Sequence, residues 1–325
     1  MSVWSVRADG LDGPATARML VAGFRALLGH REELNRLNVF PIPDADTGTN
    51  MGRTVEPVLA LLGTVPGEMA PGQVLRQVAR QTLINARGNS GVILAEVFRG
   101  LASAVGEEGP LHPLDMIGAL ARARDYAYQA VADPVEGTIL TALRAAAEAV
   151  GGLAGDARVT MGQVWQTAAA AAFRATEDGP RLLAVLRQHG VVDAAARGLT
   201  VLFEGMADEL GGGEAATPDA GVGAPTGPHA EAAPAAYGYE VQLLLETACE
   251  RQDIHRALNG WGESLVVTGG SGLFRIHIHS HRPEGVLAAC RALGATAQET
   301  VDSLDQQVHG RDGAPNAHGD DGFGG

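Results

Sequence analysis

The chain contains no lysine, so all 24 residues counted as lysine plus arginine are arginines. A Walker A motif needs a Gly-Lys-Ser/Thr sequence, and a protein kinase needs a lysine on a strand beside its nucleotide. The sequence therefore excludes both of these nucleotide-binding classes. A protein that neutralises phosphate charge with a metal ion and helix N-termini remains compatible with it.

Other scarce features narrow the class of protein further. Only 4% of the 325 residues are aromatic and 46% are hydrophobic, so alanine and leucine must fill the cores, which favours closely packed helices. Two cysteines, Cys249 and Cys290, are too few for a disulfide scaffold. No apolar run is long enough to span a bilayer, and the N-terminus lacks a signal-peptide pattern. A net charge of −14 argues against nucleic acid or anionic membrane as a partner, and together these features favour a cytoplasmic protein.

The hydrophobic pattern divides the chain into a helical domain at 1–210, a flexible linker at 211–236, a small α+β domain at 237–309 and a disordered tail at 310–325. Apolar residues at three- and four-residue steps predict the helices, and the linker is nearly all Gly, Ala, Pro, Glu and Thr. Helices are predicted at 14–37, 49–63, 72–85, 91–105, 113–131, 138–151, 160–176, 180–188, 193–210, 251–260 and 283–293, and strands at 239–246, 264–268 and 273–280.

The loop at 38–51, NVFPIPDADTGTNM, concentrates polar side chains before a helix. Its prolines favour extended geometry, so Asp44 and Asp46 are expected to point to the same side. Two neighbouring carboxylates repel each other unless a cation lies between them, and hard oxygen ligands suit Mg²⁺. Residues 47–50 are interpreted as a flexible turn and N-cap whose N–H groups face an anion. The loop is thus either a metal–phosphate site or an ordinary turn with aspartate caps.

Two further loops have the same design, at 86–94 (ARGNSGVIL) and at 133–141 (DPVEGTILT). Asn89 or Ser90 could cap the helix that follows the first, and Thr138 could cap the helix that follows the second. Each loop alone is more simply an ordinary helix connection. Three of them in one helical domain favour a shared anion site.

Four strings, in this order and spacing, resemble the nucleotide-binding domain of the dihydroxyacetone kinase family: LNVFPIPDADTGTNM, ARGNSGVIL, DPVEGTILTALRAAAEA and LLAVLRQHGVVDA. The sequence is most similar to the ATP-binding subunit of bacterial fatty acid kinase, over 11–206 and again over about 237–307. The resemblance implies an all-α barrel of about eight antiparallel helices, with Mg²⁺–ATP bound among the loops at one end. It also implies that Asp44 and Asp46 are catalytic residues and Mg²⁺ ligands, and that Asn38 is a third ligand. The nucleotide-binding positions implied by the resemblance are Thr47, Thr49, Asn50, Met51, Arg87, Asn89, Ser90, Gly91, Gly137, Thr138 and Asp193.

The strand predicted at 273–280 alternates apolar residues with histidines, which places His277 and His279 on one face, roughly 7 Å apart. They could chelate Zn²⁺ with a third ligand from elsewhere, or they could belong to a solvated strand face. The segments YGYEVQLLLE, WGESLVVTGGSGLFRIHIH and HRPEGVLAACRALG resemble the middle domain of the same fatty acid kinase protein. In that family a cysteine follows the YGY triplet and accompanies the two histidines. Glu240 stands at that position here, so the hypothesis is a Zn²⁺ site formed by Glu240, His277 and His279.

The sequence departs from the family pattern in two further ways. Residues 194–198 are AAARG in place of a glycine-rich stretch, and the chain ends where family members usually continue into a third domain that engages the acceptor-carrying partner. The resemblance predicts an ATP-dependent kinase subunit that phosphorylates a small acceptor, a fatty acid carried by a partner protein. A separately encoded docking domain and a homodimer are further expectations. The alternatives are a nucleotide-sensing regulator without turnover and a dihydroxyacetone kinase-like subunit.

Overall fold

The computed structural model describes residues 10–211 and 238–309. We call these ranges the helical region (10–211) and the sheet region (238–309). The predicted linker, apart from Gly211, and the predicted tail at 310–325 lie outside the described residues. The helices of the helical region are α1 (Gly13–Gly29), α2 (Arg31–Leu37), α3 (Thr47–Leu62), α4 (Pro71–Asn85), α5 (Gly88–Ala104), α6 (Pro113–Ala130), α7 (Ile139–Gly151), α8 (Met161–Leu182), α9 (Ala184–His189) and α10 (Ala194–Glu209).

The sequence predicted these helices, with two differences in where they break. The single helix expected at 14–37 is divided at His30, whose backbone φ of −99° and ψ of 9° separate α1 from α2. The break expected before Pro180 is absent, and α8 continues through it to Leu182. Pro180 lies in the last turn of α8, so its missing N–H removes a hydrogen bond only near the end of the helix.

Small aliphatic side chains fill the core of the helical region, as the composition predicted. Four of its aromatic residues form two buried pairs: the rings of Phe24 and Phe98 lie 5.3 Å apart, and those of Trp165 and Phe203 lie 5.1 Å apart. The cyclic arrangement of about eight antiparallel helices stays a prediction, whereas the predominance of helix in this region is confirmed. No described helix has the length and apolar content needed to cross a membrane.

The sheet region is an antiparallel four-stranded sheet with strand order β2-β3-β1-β4, covered on one face by helices. Its core joins apolar residues of the strands, such as Ile276, to Ile254 and Val286 of the covering helices. Cys249 and Cys290 are free thiols. The elements are β1 (Tyr239–Glu246), α11 (Arg251–Leu258), β2 (Glu263–Gly270), β3 (Leu273–Ser280), α12 (Pro283–Leu293), β4 (Ala295–Ser303) and α13 (Leu304–His309).

Sequence reasoning missed β4 and α13. β4 has the sequence ATAQETVDS, a mostly polar segment without a clear apolar alternation, and it is mostly exposed at the edge of the sheet. Pairing with β1 defines it as a strand, from Tyr239 opposite Ser303 to Glu246 opposite Ala295. A strand stabilised by backbone pairing at an edge leaves little signal in its own side chains.

The second face of the sheet packs against the helical region. The amide of Gly88, at the start of α5, donates to Gln242 Oε1 at 3.2 Å. After α6, the amide of Ala132 donates to the carbonyl of Leu265 at 3.0 Å, beside an isolated antiparallel bridge. These contacts hold one end of the sheet against the loops that the sequence singled out.

Candidate functional site

Four helices, α3, α5, α7 and α10, begin around one cavity that lies between the helical region and the sheet region. The cavity encloses about 860 Å³, part of it open to solvent. Helix N-termini carry N–H groups without intrahelical partners and a partial positive charge, so their convergence favours an anion. The polar residues lining the cavity are Asn38, Asp44, Asp46, Thr47, Asn50, Asn89, Ser90, Asp133, Thr138, Asp193, Glu240, Ser264, His277 and His279.

Asn38 organises the start of α3. Its Oδ1 accepts from the amides of Asp46 at 3.1 Å and Thr47 at 2.9 Å, and from the Thr47 hydroxyl at 2.7 Å. Its Nδ2 donates to the carbonyl of Ile42 at 2.9 Å. The Asn38 side chain therefore holds the start, the middle and the end of the loop together. Asn38 thus caps the start of α3 in the structure, and its predicted role as a metal ligand stays a prediction.

The prediction of a flexible turn at 47–50 is wrong, because these residues form the first turn of α3. Close packing at Gly48 explains this: a Cβ there would lie 2.1 Å from the carbonyl oxygen of Arg31, so only glycine lets α3 start against α2. The segment before it is not fully extended either, because Ala45 has a φ of 49°. Asp44 and Asp46 nevertheless both line the cavity.

Three carboxylates, from Asp44, Asp46 and Glu240, share this part of the cavity. Burial raises the pKa of Asp44, and the neighbouring charges of Asp46 and Glu240 raise it further. Burial and the charge of Asp46 raise the pKa of Glu240 to about 7. Carboxylates that repel each other in a buried site are stabilised by a cation, so the donor set fits a divalent metal ion.

His277 and His279 lie beside Glu240 on the face of the sheet that the helical region covers. The Nε2 atoms of the two histidines are 3.1 Å apart, and His277 Nδ1 lies 3.4 Å from Glu240 Oε1. One ligand atom from each of the three residues lies within 4.8 Å of the others. Burial lowers the pKa of His279 to about 4, and burial together with His279 and Arg275 lowers the pKa of His277. Both imidazoles are therefore neutral near pH 7, the form that binds metals.

The predicted alternative of a solvated histidine face is wrong. His277 is 0% exposed, because the helical region closes over this face of the sheet. Its Nδ1 is buried without a hydrogen-bond partner. A buried nitrogen without a hydrogen bond is costly, and a metal ion bound by Glu240, His277 and His279 would remove that cost by changing the contacts of the imidazole.

The loop before α5 lies at the cavity as predicted, but its capping differs. Arg87 is the N-cap, without a side-chain hydrogen bond, so Asn89 and Ser90 belong to the first helical turn rather than to the cap. Gly88 has a φ of 58°, and a Cβ there would lie 2.4 Å from Asn50 Nδ2. Glycine thus lets the starts of α3 and α5 meet at the cavity.

Thr138 and Asp193 cap the two remaining helices. Thr138 accepts from the amide of Leu140, which confirms the cap predicted for α7. Asp193 accepts from the amide of Ala196 at 2.7 Å and caps α10. Burial raises the pKa of Asp193 to about 6, against the lowering effect of the backbone N–H groups around it, which include that of Ile139. Asp193 therefore joins the starts of α7 and α10.

Some predicted nucleotide-binding residues do not line the cavity. Met51 is 0% exposed in the core of the helical region, so it supports the site through packing. Thr49 exchanges hydrogen bonds with Asn35, at 3.0 Å through its amide and 3.1 Å through its hydroxyl. Arg87, Gly91 and Gly137 belong to the loops and helix starts at the cavity without being among its lining residues.

Sequence reasoning missed several lining residues. Gly88 and Asp133 lie in loops that it had singled out, and the unusual density of small and polar residues was the available signal. Ser264 and Val266 of β2 also line the cavity, and nothing in their local pattern indicates it. They are brought there by the docking of the sheet.

Comparison with protein families identifies the class to which this arrangement belongs. Residues 41–208 match the DAK2 domain, and residues 236–311 match the FakA-like middle domain of the fatty acid kinase family. The chain belongs to the DAK2 domain family and carries a FakA-like middle domain, which confirms the resemblance seen in its motifs.

The chain is also similar to individual proteins. The protein YloV of Bacillus subtilis is 32% identical over 315 residues, and an uncharacterized protein of Staphylococcus haemolyticus is 29% identical over 314 residues. Each alignment covers 91% of this chain and 56% of the relative, so the chain spans little more than half the length of these proteins. Among solved structures, the dihydroxyacetone kinase of C. freundii in complex with AMP-PNP and Mg²⁺ is similar with a TM-score of 0.46 and 19% identity, over 64% of this chain and 36% of that one.

Proposed function

We propose that the cavity binds Mg²⁺–ATP and that the chain is an ATP-dependent kinase subunit, which transfers the γ-phosphoryl group to a small acceptor. The observation that carries this proposal is the convergence of four helix N-termini with the carboxylates of Asp44, Asp46 and Glu240 in one cavity. Helix N-termini favour a polyanion, and carboxylates favour a hard cation. A nucleoside triphosphate with its divalent cation is the ligand class that needs both. The kinase-type DAK2 and FakA-like domains support the same coarse class.

In this proposal Asp44 and Asp46 would hold Mg²⁺, which would supply positive charge against the negative charge that develops on the phosphate during transfer. The amides in the first turn of α5 and the hydroxyl of Ser90 would donate to the phosphates. No arginine is among the described residues that line the cavity. Charge neutralisation would therefore depend on the cation and on helix N-termini.

We further propose that Glu240, His277 and His279 hold a second divalent cation, Zn²⁺. A carboxylate with two neutral imidazoles is a donor set typical of zinc with an open coordination position. The proposal is supported by the burial of His277 and by the proximity of the three side chains, each of which offers one ligand atom within 4.8 Å of the others. The carboxylate of Glu240 supplies the anionic ligand of this set.

We propose a fatty acid carried by a partner protein as the acceptor, a proposal supported by the FakA-like match. Apolar side chains of Phe40, Ile93 and Val135 line the cavity beside its polar groups and suit an acyl group. Homodimer formation and a separately encoded docking domain remain predictions.

The test begins with nucleotide binding to the Asp44→Asn/Asp46→Asn double variant. Loss of both carboxylates should weaken Mg²⁺–ATP binding at least about tenfold by calorimetry, while the fold is kept, because asparagine has the same shape as aspartate and can still hydrogen-bond. Asp178→Asn, which breaks an exposed ion pair with Arg181 on α8, is the matched control and should bind as the wild type does. Equal affinity in the double variant would refute the proposed site.

Acceptor specificity is tested by phosphoryl transfer from labelled ATP to three acceptors: a fatty acid bound to its carrier protein, free dihydroxyacetone and water. Transfer to the carried fatty acid, lost in the Asp44→Asn/Asp46→Asn variant, is the expected result. Rapid transfer to dihydroxyacetone by the chain alone would assign it to the polyol-ketone kinases. Binding of ATP without transfer to any acceptor would identify a nucleotide-sensing protein instead.

A further inference from the structure

A buried carboxylate, that of Glu96, joins the helical region to the sheet region. It lies on α5, away from the cavity. Glu96 is 0% exposed and lies about two turns after the start of α5 at Gly88. Its Oε1 accepts from the hydroxyl of Thr268 and, at 2.6 Å, from the amide of Gly269, both on β2. These bonds connect positions 172 and 173 residues apart in the chain.

Two guanidinium groups complete the surroundings of Glu96. Arg99, one turn further along α5, donates to both carboxylate oxygens at 2.8–3.0 Å. Arg251, at the start of α11, approaches Glu96 at 3.3 Å and donates to the carbonyl of Gly269 at 2.8 Å. A carboxylate buried this completely is tolerated only when its lone pairs are used. Three of its four partner residues belong to the sheet region, so separation of the two regions would leave only Arg99 in place.

The position of this cluster determines what it can control. β2, which holds Thr268, also contributes Ser264 and Val266 to the lining of the cavity. The neighbouring strand β3 pairs Arg275 with Thr268 and His277 with Val266. Glu96 thus holds one end of the sheet, and His277 lies at the cavity toward the other end.

We propose that Glu96 is a positioning residue. Its hydrogen bonds to Thr268 and Gly269 hold β2 against α5, and we call this contact the Glu96 clasp. The clasp in turn holds the Glu240, His277 and His279 side chains over the Asp44/Asp46 loop. This inference rests on the proposed function for its catalytic consequence, but the docking it describes is a property of the chain alone. Glu96 touches neither the cavity nor its ligands and acts through the sheet. Loss of the clasp should leave the nucleotide site of the helical region intact while the groups from the sheet lose their placement.

The test uses the full chain with Glu96→Gln, Thr268→Val and Thr268→Ser. Glutamine removes the charge and turns N–H groups toward the two arginines, whereas valine removes one donor at constant shape and serine restores it. Arg181→Gln, which removes an exposed ion pair on α8, is the control. Thr268→Val keeps the test decisive if Glu96→Gln does not fold.

Hydrogen exchange of the β2 amides is the first readout, because it needs no activity. We expect exchange at 263–270 to accelerate at least about tenfold in Glu96→Gln and Thr268→Val, with Thr268→Ser and Arg181→Gln near the wild type. Unchanged exchange in both disruptive variants would refute the proposal that Glu96 holds β2 against α5, whether or not the chain proves to be a kinase.

The kinetic readout separates positioning from general destabilisation. With an active acceptor system, kcat should fall at least about tenfold in Thr268→Val while the KM for Mg²⁺–ATP stays within about twofold, and Thr268→Ser should recover kcat. A matched loss of nucleotide affinity and of kcat, without recovery by serine, would show that Glu96 and Thr268 only stabilise the fold. Absence of transfer in the wild type would refute the proposed function and leave the exchange result to decide the docking.

Discussion

Asp193 provides a prediction about stability that needs no ligand. Its carboxyl is buried at the start of α10, and burial raises its pKa from 3.8 to about 6 despite the N–H groups of Ala196, Ile139 and Ala195. The folded protein therefore holds this proton at pH values at which the unfolded chain has released it. Where the folded state binds more protons, stability falls as pH rises. The loss begins near the unfolded pKa of 3.8 and is complete above the folded pKa of about 6.

The magnitude follows from the difference between these two pKa values. At about 1.36 kcal/mol per unit, a rise from 3.8 to about 6 corresponds to about 3 kcal/mol of stability lost by pH 7.5. At pH 5 about half of that loss has already occurred, so about 1.4 kcal/mol remains to be lost between pH 5 and pH 7.5. Asparagine does not titrate, and its Oδ1 can still accept from the amide of Ala196.

The assay is urea denaturation of the wild type, Asp193→Asn and Asp178→Asn in metal-free buffer from pH 5 to pH 7.5. The free energy of unfolding of the wild type, minus that of Asp193→Asn, should fall by about 1.4 kcal/mol across this range. Contributions of other titrating groups cancel in that difference. Asp178 has an exposed side chain, so its variant should follow the wild type at every pH. A difference that stays constant, or that grows in favour of the wild type as pH rises, would refute the assignment of a buried, proton-binding carboxyl to Asp193.

Two further predictions concern the loop and the metal. Gly48→Ala should lower the free energy of unfolding by about 1–3 kcal/mol, because the new Cβ would lie 2.1 Å from the carbonyl oxygen of Arg31. Calorimetry should also show weaker Mg²⁺–ATP binding by this variant. Wild-type values in both assays would contradict the close approach. Protein purified without chelators should carry near-stoichiometric Zn²⁺ that is lost in His277→Ala/His279→Ala, and metal analysis that finds none in the wild type would remove Glu240 and both histidines from the proposed metal site.

Local patterns predicted most of the secondary structure. The bounds of β1, β3 and α12 agree with the sequence prediction, since alternation of period two and helical spacing are properties of neighbouring residues. The cap at Thr138 could be predicted for the same reason, because its hydrogen bond to Leu140 is only two residues long. The edge strand β4 could not be predicted, because its conformation depends on pairing with β1 rather than on its own side chains.

The candidate site was predictable to the extent that its residues cluster in short loops. The Asp44/Asp46 loop and the loop at Asn89 and Ser90 were singled out by their density of polar and small residues, and all four residues line the cavity. Met51 lies in the same motif yet packs into the core, because the residues of a helix point in different directions as it turns. Membership of a motif did not distinguish a residue that faces the cavity from one that supports it.

The sequence by itself determined most of the helices, the strands β1, β2 and β3, the family and the three polar loops, because each depends on residues that are close together in the chain. Only the tertiary structure decided that Glu240 and His277 share a cavity with Asp44, and that a carboxylate as deeply buried as Glu96 finds its partners on β2. These contacts join residues that are far apart in the chain, and they form because one face of the sheet packs against the helices. The local sequence pattern does not indicate which distant surface will cover a polar side chain. Burial under that surface changes the pKa of the side chain, its hydrogen-bond partners and its chemistry.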